Sequence, residues 1–139
     1  MARKENDVSR HGYSDDLDPL DLGRWRGQVL SASRGKRGQA FFRSLIEALD
    51  AMPVKELGSG DMVDEQGCDC ALAALDRHRG GDPENLDPYD HKSLGREFNI
   101  AHQLSQEVMF INDECWPHND KAKRWHEVRD WAAKQIIAA

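Results

Sequence analysis

The residues most able to do chemistry are six cations interleaved with glycines and aromatics: Arg24, Arg26, Arg34, Lys36, Arg37 and Arg43. They fall in Arg24-Trp25-Arg26, in Arg34-Gly35-Lys36-Arg37-Gly38 and after Phe41-Phe42. Glycine lets a backbone come close to a phosphate, and a helix starting there offers free N–H groups to an anion. Clustered cations supply the sequence-independent attraction that dominates nucleic-acid affinity. The plainer alternative is a solvated edge between two helices, with the glycines as cap and turn and the aromatics as core.

Cys68, Cys70, Cys115 and His118 have the identities of a zinc site with three thiolates and one imidazole. Cys115-x-x-His118 has ligand spacing, but Cys68-x-Cys70 is tighter than a usual knuckle and no second Cys-x-x-Cys supports it. Buried or idle thiols are the favoured reading, and no metal is expected. His11 with Asp15 and Asp16 could hold a divalent cation or do acid–base work, although a flexible arm fixes such groups poorly. The chain has no nucleotide-binding glycine motif, no nucleophile elbow and no His-Glu-x-x-His. It therefore reads as a non-enzymatic protein without a cofactor.

Leu94 to Leu104 has the outline of a helix-turn-helix. A recognition helix usually brings Arg or Lys to phosphates and base edges. None occurs from Glu97 to Glu114, where Glu107, Asp113 and Glu114 are acidic, so an ordinary helical corner is expected.

Periodicity indicates the elements that must hold these groups. Leu22, Trp25, Val29 and Ala32 share one face of a helix over about Leu22 to Ser33. Phe41, Leu45, Ala48, Leu49 and Met52 form the stripe of a second helix, ended by Pro53. Gly58-Ser59-Gly60 and Gln66-Gly67 are turn signals around a small hairpin or a loop. A short helix follows over about Cys70 to Arg79, with Ala71, Leu72, Leu75 and His78 inward. Asp87-Pro88 reads as a cap with proline at the first position of a helix to Glu97. Another helix spans about Ile100 to Asp113, with Ile100, Leu104, Val108 and Ile111 inward. Asn119 or Asp120 caps a last helix carrying Trp125, Val128, Trp131 or Ala132, and Ile136 inward.

The expected fold is mainly α: one compact bundle of about five or six short helices with at most a small β-hairpin, over residues 22–139. Residues 1–21 are polar and aperiodic and read as a partly ordered arm. A length of 139 residues suits one domain. No apolar run is long enough to span a bilayer, the charged N-terminus shows no secretory signal, and three cysteines suit a reducing compartment. A cytoplasmic protein with no membrane partner is expected.

The net charge of -6 hides a strong segregation. Leu22 to Ile46 holds the six cations and no acid, whereas Glu47 to Asp120 holds seventeen acids and five cations. Such a molecule can attract a charged partner against the sign of its total charge.

Ser9-Arg10-His11-Gly12-Tyr13-Ser14-Asp15-Asp16, Arg24-Trp25-Arg26-Gly27, Arg34-Gly35-Lys36-Arg37-Gly38-Gln39-Ala40-Phe41 and Ala48-Leu49-Asp50-Ala51-Met52-Pro53 together resemble a family of small uncharacterised proteins of tailed bacteriophages and prophages. The resemblance runs over most of the chain and is strongest from Ser9 to Pro53; Met1 to Val8 departs from the pattern. It implies a phage setting and carries no activity to any residue. The leading expectation is a phage accessory protein that binds a host component, such as defence or replication machinery, in the host cytoplasm. The alternatives are a nucleic-acid-binding protein using the basic segment 24–43 and a small zinc protein.

Overall fold

The structure, a computed structural model, describes residues 9–13, 18–114 and 119–137. Among these, six α-helices form a compact bundle without a strand: α1 (Pro19–Arg34), α2 (Lys36–Ala51), α3 (Ala71–His78), α4 (His91–Phe98), α5 (His102–Asp113) and α6 (Lys121–Gln135). A single 3-10 turn, Pro83–Asn85, precedes α4. None of these helices is long and apolar enough to cross a membrane.

The core forms where the apolar stripes converge. On α2, Phe42, Leu45 and Leu49 are fully buried, each such side chain contributing roughly 1.5–3 kcal/mol. This helix packs on α1, α3 and α6, while α5 packs on α1, α3, α4 and α6. Phe42 meets Trp131 edge-on at 5.3 Å, and the Trp125 indole N–H donates to the Leu49 carbonyl at 3.1 Å. α1 starts where the Asp18 carboxylate accepts the Asp21 N–H with Pro19 at its first turn, ahead of the expected start at about Leu22 and inside the segment read as an irregular arm. Only Gly35 separates α1 from α2. The corner is so tight that a Cβ on Gly38 would lie 1.9 Å from the Ala32 carbonyl oxygen. Gly38 is therefore a packing requirement.

The turn-rich segment between α2 and α3 folds around one isolated antiparallel bridge, Val63 to Asp69, and makes no hairpin. Asp64 organises it by accepting the N–H groups of Gln66 and Cys68. Ser9–Tyr13 is irregular and firmly docked. Arg10, 2% exposed, forks onto Asp113 with bonds of 2.7 and 2.8 Å.

Several details depart from expectation. α4 is capped by Asp90, whose carboxylate accepts the Ser93 N–H; Asp87 instead accepts the Tyr89 N–H and makes a turn. Pro88 therefore lies outside the helix. Leu22 is 47% exposed, because the first turn of α1 overhangs the body. His78 points outward and meets Glu47 at 3.2 Å. Both Trp131 and Ala132 face inward, the first half-buried and the second fully buried.

Candidate functional site

The corner between α1 and α2 faces the corner between α4 and α5, and two adjoining depressions lie between them. The first, of about 550 Å3, is walled by Gln28 and Ser31 of α1, Lys36 and Arg37 of α2, and Ala101 and Gln103 at the start of α5. The second, of about 460 Å3, is lined by Arg37, Lys92, Arg96, Asn99 and His102. Arg37 borders both. No carboxylate lines either depression, in a chain whose net charge is -6.

Two helices begin in this groove. Gly35 precedes α2 and Ala101 precedes α5, and neither cap has a side chain that accepts the first N–H groups. Those free N–H groups carry the positive end of each helix dipole. Lys36 and Arg37 stand in the first turn of α2, where a cation is electrostatically disfavoured. Arg34 and Arg96 differ, since each occupies a last turn, where the dipole favours a cation. The positive potential of the groove thus comes from Lys36, Arg37, Lys92 and Arg96, and of these Lys36, Arg37 and Lys92 stand in first turns, where the helix dipole disfavours a cation.

The pairing of cations sharpens this. Among the described residues, Arg34, Lys36, Arg37, Arg43, Lys92 and Arg96 form no ion pair; Arg37 reaches only the Asn99 side-chain oxygen at 3.4 Å. Arg43 lies two turns beyond Lys36 on the exposed side of α2. Arg24 touches Asp21 at 3.8 Å, with both side chains well exposed. Arg26 is committed elsewhere. Its guanidinium forks onto the buried Glu107, which also accepts the Tyr13 hydroxyl proton at 2.7 Å.

The expected helical corner at Leu94–Leu104 is formed by the end of α4, the connection 99–101 and the start of α5. Asn99 takes the left-handed conformation at φ 56°, and Gly95 lets the Ile100 carbonyl approach where a Cβ would be 2.7 Å away. α5, however, is the central helix. Leu104, Ser105, Glu107, Val108 and Met109 are buried, and Gln106 donates to the His11 carbonyl. Its remaining side chains, from His102 and Gln103 to Gln106 and Phe110, are half-buried, so the helix cannot lie along a major groove.

The sulfur candidates are separated. The Cys70 Sγ is buried beside Met62 and accepts from Arg10 Nη1 at 3.4 Å, whereas the half-buried Cys68 Sγ accepts from Lys121 Nζ at 3.4 Å. Lys121 also donates to Asp64, whose pKa is lowered although its burial opposes this. Cys115 and His118 lie outside the described residues, as do Asp15 and Asp16. Among the described residues there is no cluster of three metal-ligating side chains. His11 Nδ1 accepts the Tyr13 N–H, so its proton sits on Nε2, which donates to Glu114 at 2.7 Å.

Linear order hid the contributions of Lys92, Arg96, His102 and Gln103, because only the fold brings α4 and α5 beside α2. The one available signal was the corner pattern itself: Leu94-Gly95 followed by Asn99-Ile100. Comparison with family models, curated proteins and solved structures finds no match.

Proposed function

We propose that this chain is a non-enzymatic binding protein and that its working surface, the basic groove, takes the phosphate backbone of a nucleic acid. One observation carries the reading: Lys36 and Arg37 sit unpaired at the positive end of α2, in a groove with no carboxylate. An anion is what would complement them. With α5 buried, the contacts are to phosphate and sugar, and base sequence is not read. The acidic middle of the chain is a weaker surface for a partner, since Asp113 and Glu107 within it are engaged by Arg10 and Arg26. The phage resemblance supports host cytoplasm as the place where the ligand is met, and it is the sole support for a host protein as the partner.

The test is a salt titration of binding to random duplex and single-stranded DNA, followed by fluorescence anisotropy. Affinity should fall steeply with salt, and Lys36→Glu with Arg37→Glu should flatten the log–log slope by about 2, roughly one for each lost phosphate contact. Absence of binding at about 20 mM salt, where such contacts are strongest, overturns the reading. So does a slope unchanged by the double reversal.

A further inference from the structure

A third, smaller depression adjoins the basic groove at Arg37, which borders all three. Its floor is apolar: Phe41 of α2, Leu75 of α3 and Phe98 at the end of α4, all buried. Ser44 and Asn99 bring an exposed hydroxyl and an exposed amide to the same depression. The Arg79 guanidinium is a further wall; it lies over the Phe98 ring at 4.9 Å and is held by Glu97 at 3.0 Å. No carboxylate lines this depression either. A closed cavity of on the order of 150 Å3 holds one benzene ring, so an open one of about 110 Å3 takes the edge of a single planar ring.

We propose that the nucleic acid taken by the groove is single-stranded, and that one unpaired base turns at Arg37 into the small depression. The inference rests on the phosphate reading of the groove and adds a base contact to it. Cations stand on both sides of the groove, Lys36 and Arg37 on α2 and Lys92 and Arg96 on α4, so one backbone runs between them. The depression beside that path is apolar below and polar at its edge, as a base is apolar on its faces and polar at its edges. An arginine guanidinium plane is a usual platform for an unpaired base, and Arg79 is already fixed by its two neighbours. A base within a duplex is stacked and paired, and drawing it out costs energy; a single strand presents it freely. The base is held without being identified. Every base has a π face, and the Ser44 hydroxyl and the Asn99 amide each donate and accept.

The test is fluorescence anisotropy of the full chain, at one low salt concentration, with a mixed-sequence DNA strand alone and annealed to its complement. The single strand should bind about tenfold tighter, the size of one stacked base. Ser44→Phe puts a ring into the depression from an exposed position. This variant should keep the wild-type melting temperature and duplex affinity, yet lose the preference for the single strand. An abasic strand of the same length should bind wild type about tenfold more weakly than the intact strand, again one base contact, and Ser44→Phe should not distinguish the two. Duplex bound as tightly as the single strand, with a salt slope still set by Lys36 and Arg37, overturns this inference and leaves the groove reading standing. Binding of neither form overturns both. A strand preference that survives Ser44→Phe overturns the base pocket, as does wild type binding the abasic and intact strands alike.

Discussion

The two ends of α5 treat charge in opposite ways. At its C-terminal end, Arg10 is buried against Asp113, Ser9 and His11 donate to Glu114, and the whole Ser9–Tyr13 segment is held by paired groups. At its N-terminal end, Lys36, Arg37 and Lys92 face open space without a carboxylate. A cation beside the negative end of a helix completes the fold; one beside a positive end does not. Ion pairs at the first end therefore act in stability, and unpaired cations at the second act in binding. Substitutions at the two ends should separate these roles.

The largest effect belongs to Arg10→Ala. Burial works against the Arg10 charge, but the Cys70 sulfur and Asp113 more than offset it, and the same pairing lowers the Asp113 pKa against its own burial. Removing the guanidinium strands a mostly buried carboxylate, which should destabilise the protein by about 3–5 kcal/mol in urea unfolding. Arg10→Met with Asp113→Leu should recover much of that, because neither charge is then left buried alone. DNA affinity, measured where the variants are still folded, should not change.

Gly38→Ala should come next, at roughly 1–3 kcal/mol, because the new methyl group would meet the Ala32 carbonyl and force α1 from α2. Thermal unfolding reads the loss directly. If Gly38 served phosphate approach alone, stability would be untouched and affinity would fall.

The docked segment also sets a pH dependence. His91 is buried; its Nε2–H donates to the Arg10 carbonyl and its Nδ1 accepts from Ser105. Burial lowers its pKa despite that bond, and the nearby Arg10 charge adds to the lowering. A base whose folded pKa is depressed binds fewer protons than in the unfolded chain. Its contribution is full above the unfolded value of about 6.5 and is lost as pH falls through the folded one. Asp113, also depressed, holds its contribution above about pH 4 and loses it at lower pH. Melting temperature against pH should therefore decline in two stages below neutrality. His91→Gln should remove the upper stage and leave the lower; a curve identical to wild type would mean the imidazole is not sensed.

Periodicity carried most of this fold because local order suffices for a stripe: Phe41, Leu45, Ala48 and Leu49 are buried as expected, and so are Ile100, Leu104, Val108 and Ile111. It misjudged Leu22 and His78, which lie near helix ends where partners run out. The groove was half legible. Lys36 and Arg37 stood out as a charge run beside glycines, but sequence could not distinguish them from Arg26, which belongs to a buried acid 81 residues away. The docking of Arg10 was hidden for the same reason, since its partner Asp113 is 103 residues distant. Charge is read along the chain, and pairing is settled across it.

The smallest effect is the most discriminating. Lys36→Glu and Arg37→Glu place acids in the first turn of α2, where a negative charge favours the dipole. Each should raise stability by a few tenths of a kcal/mol, the usual size for exposed charges near a helix N-terminus. The same substitutions should weaken DNA binding. Opposite signs for stability and affinity at one residue are what a functional cation in an unfavourable position produces. A cation serving the fold would lower stability when reversed, so chemical denaturation of these two variants decides between the roles without any ligand present. Arg96→Glu supplies the contrast: it lies in the last turn of α4, where its charge suits the dipole, and its reversal should lower stability by a similar amount.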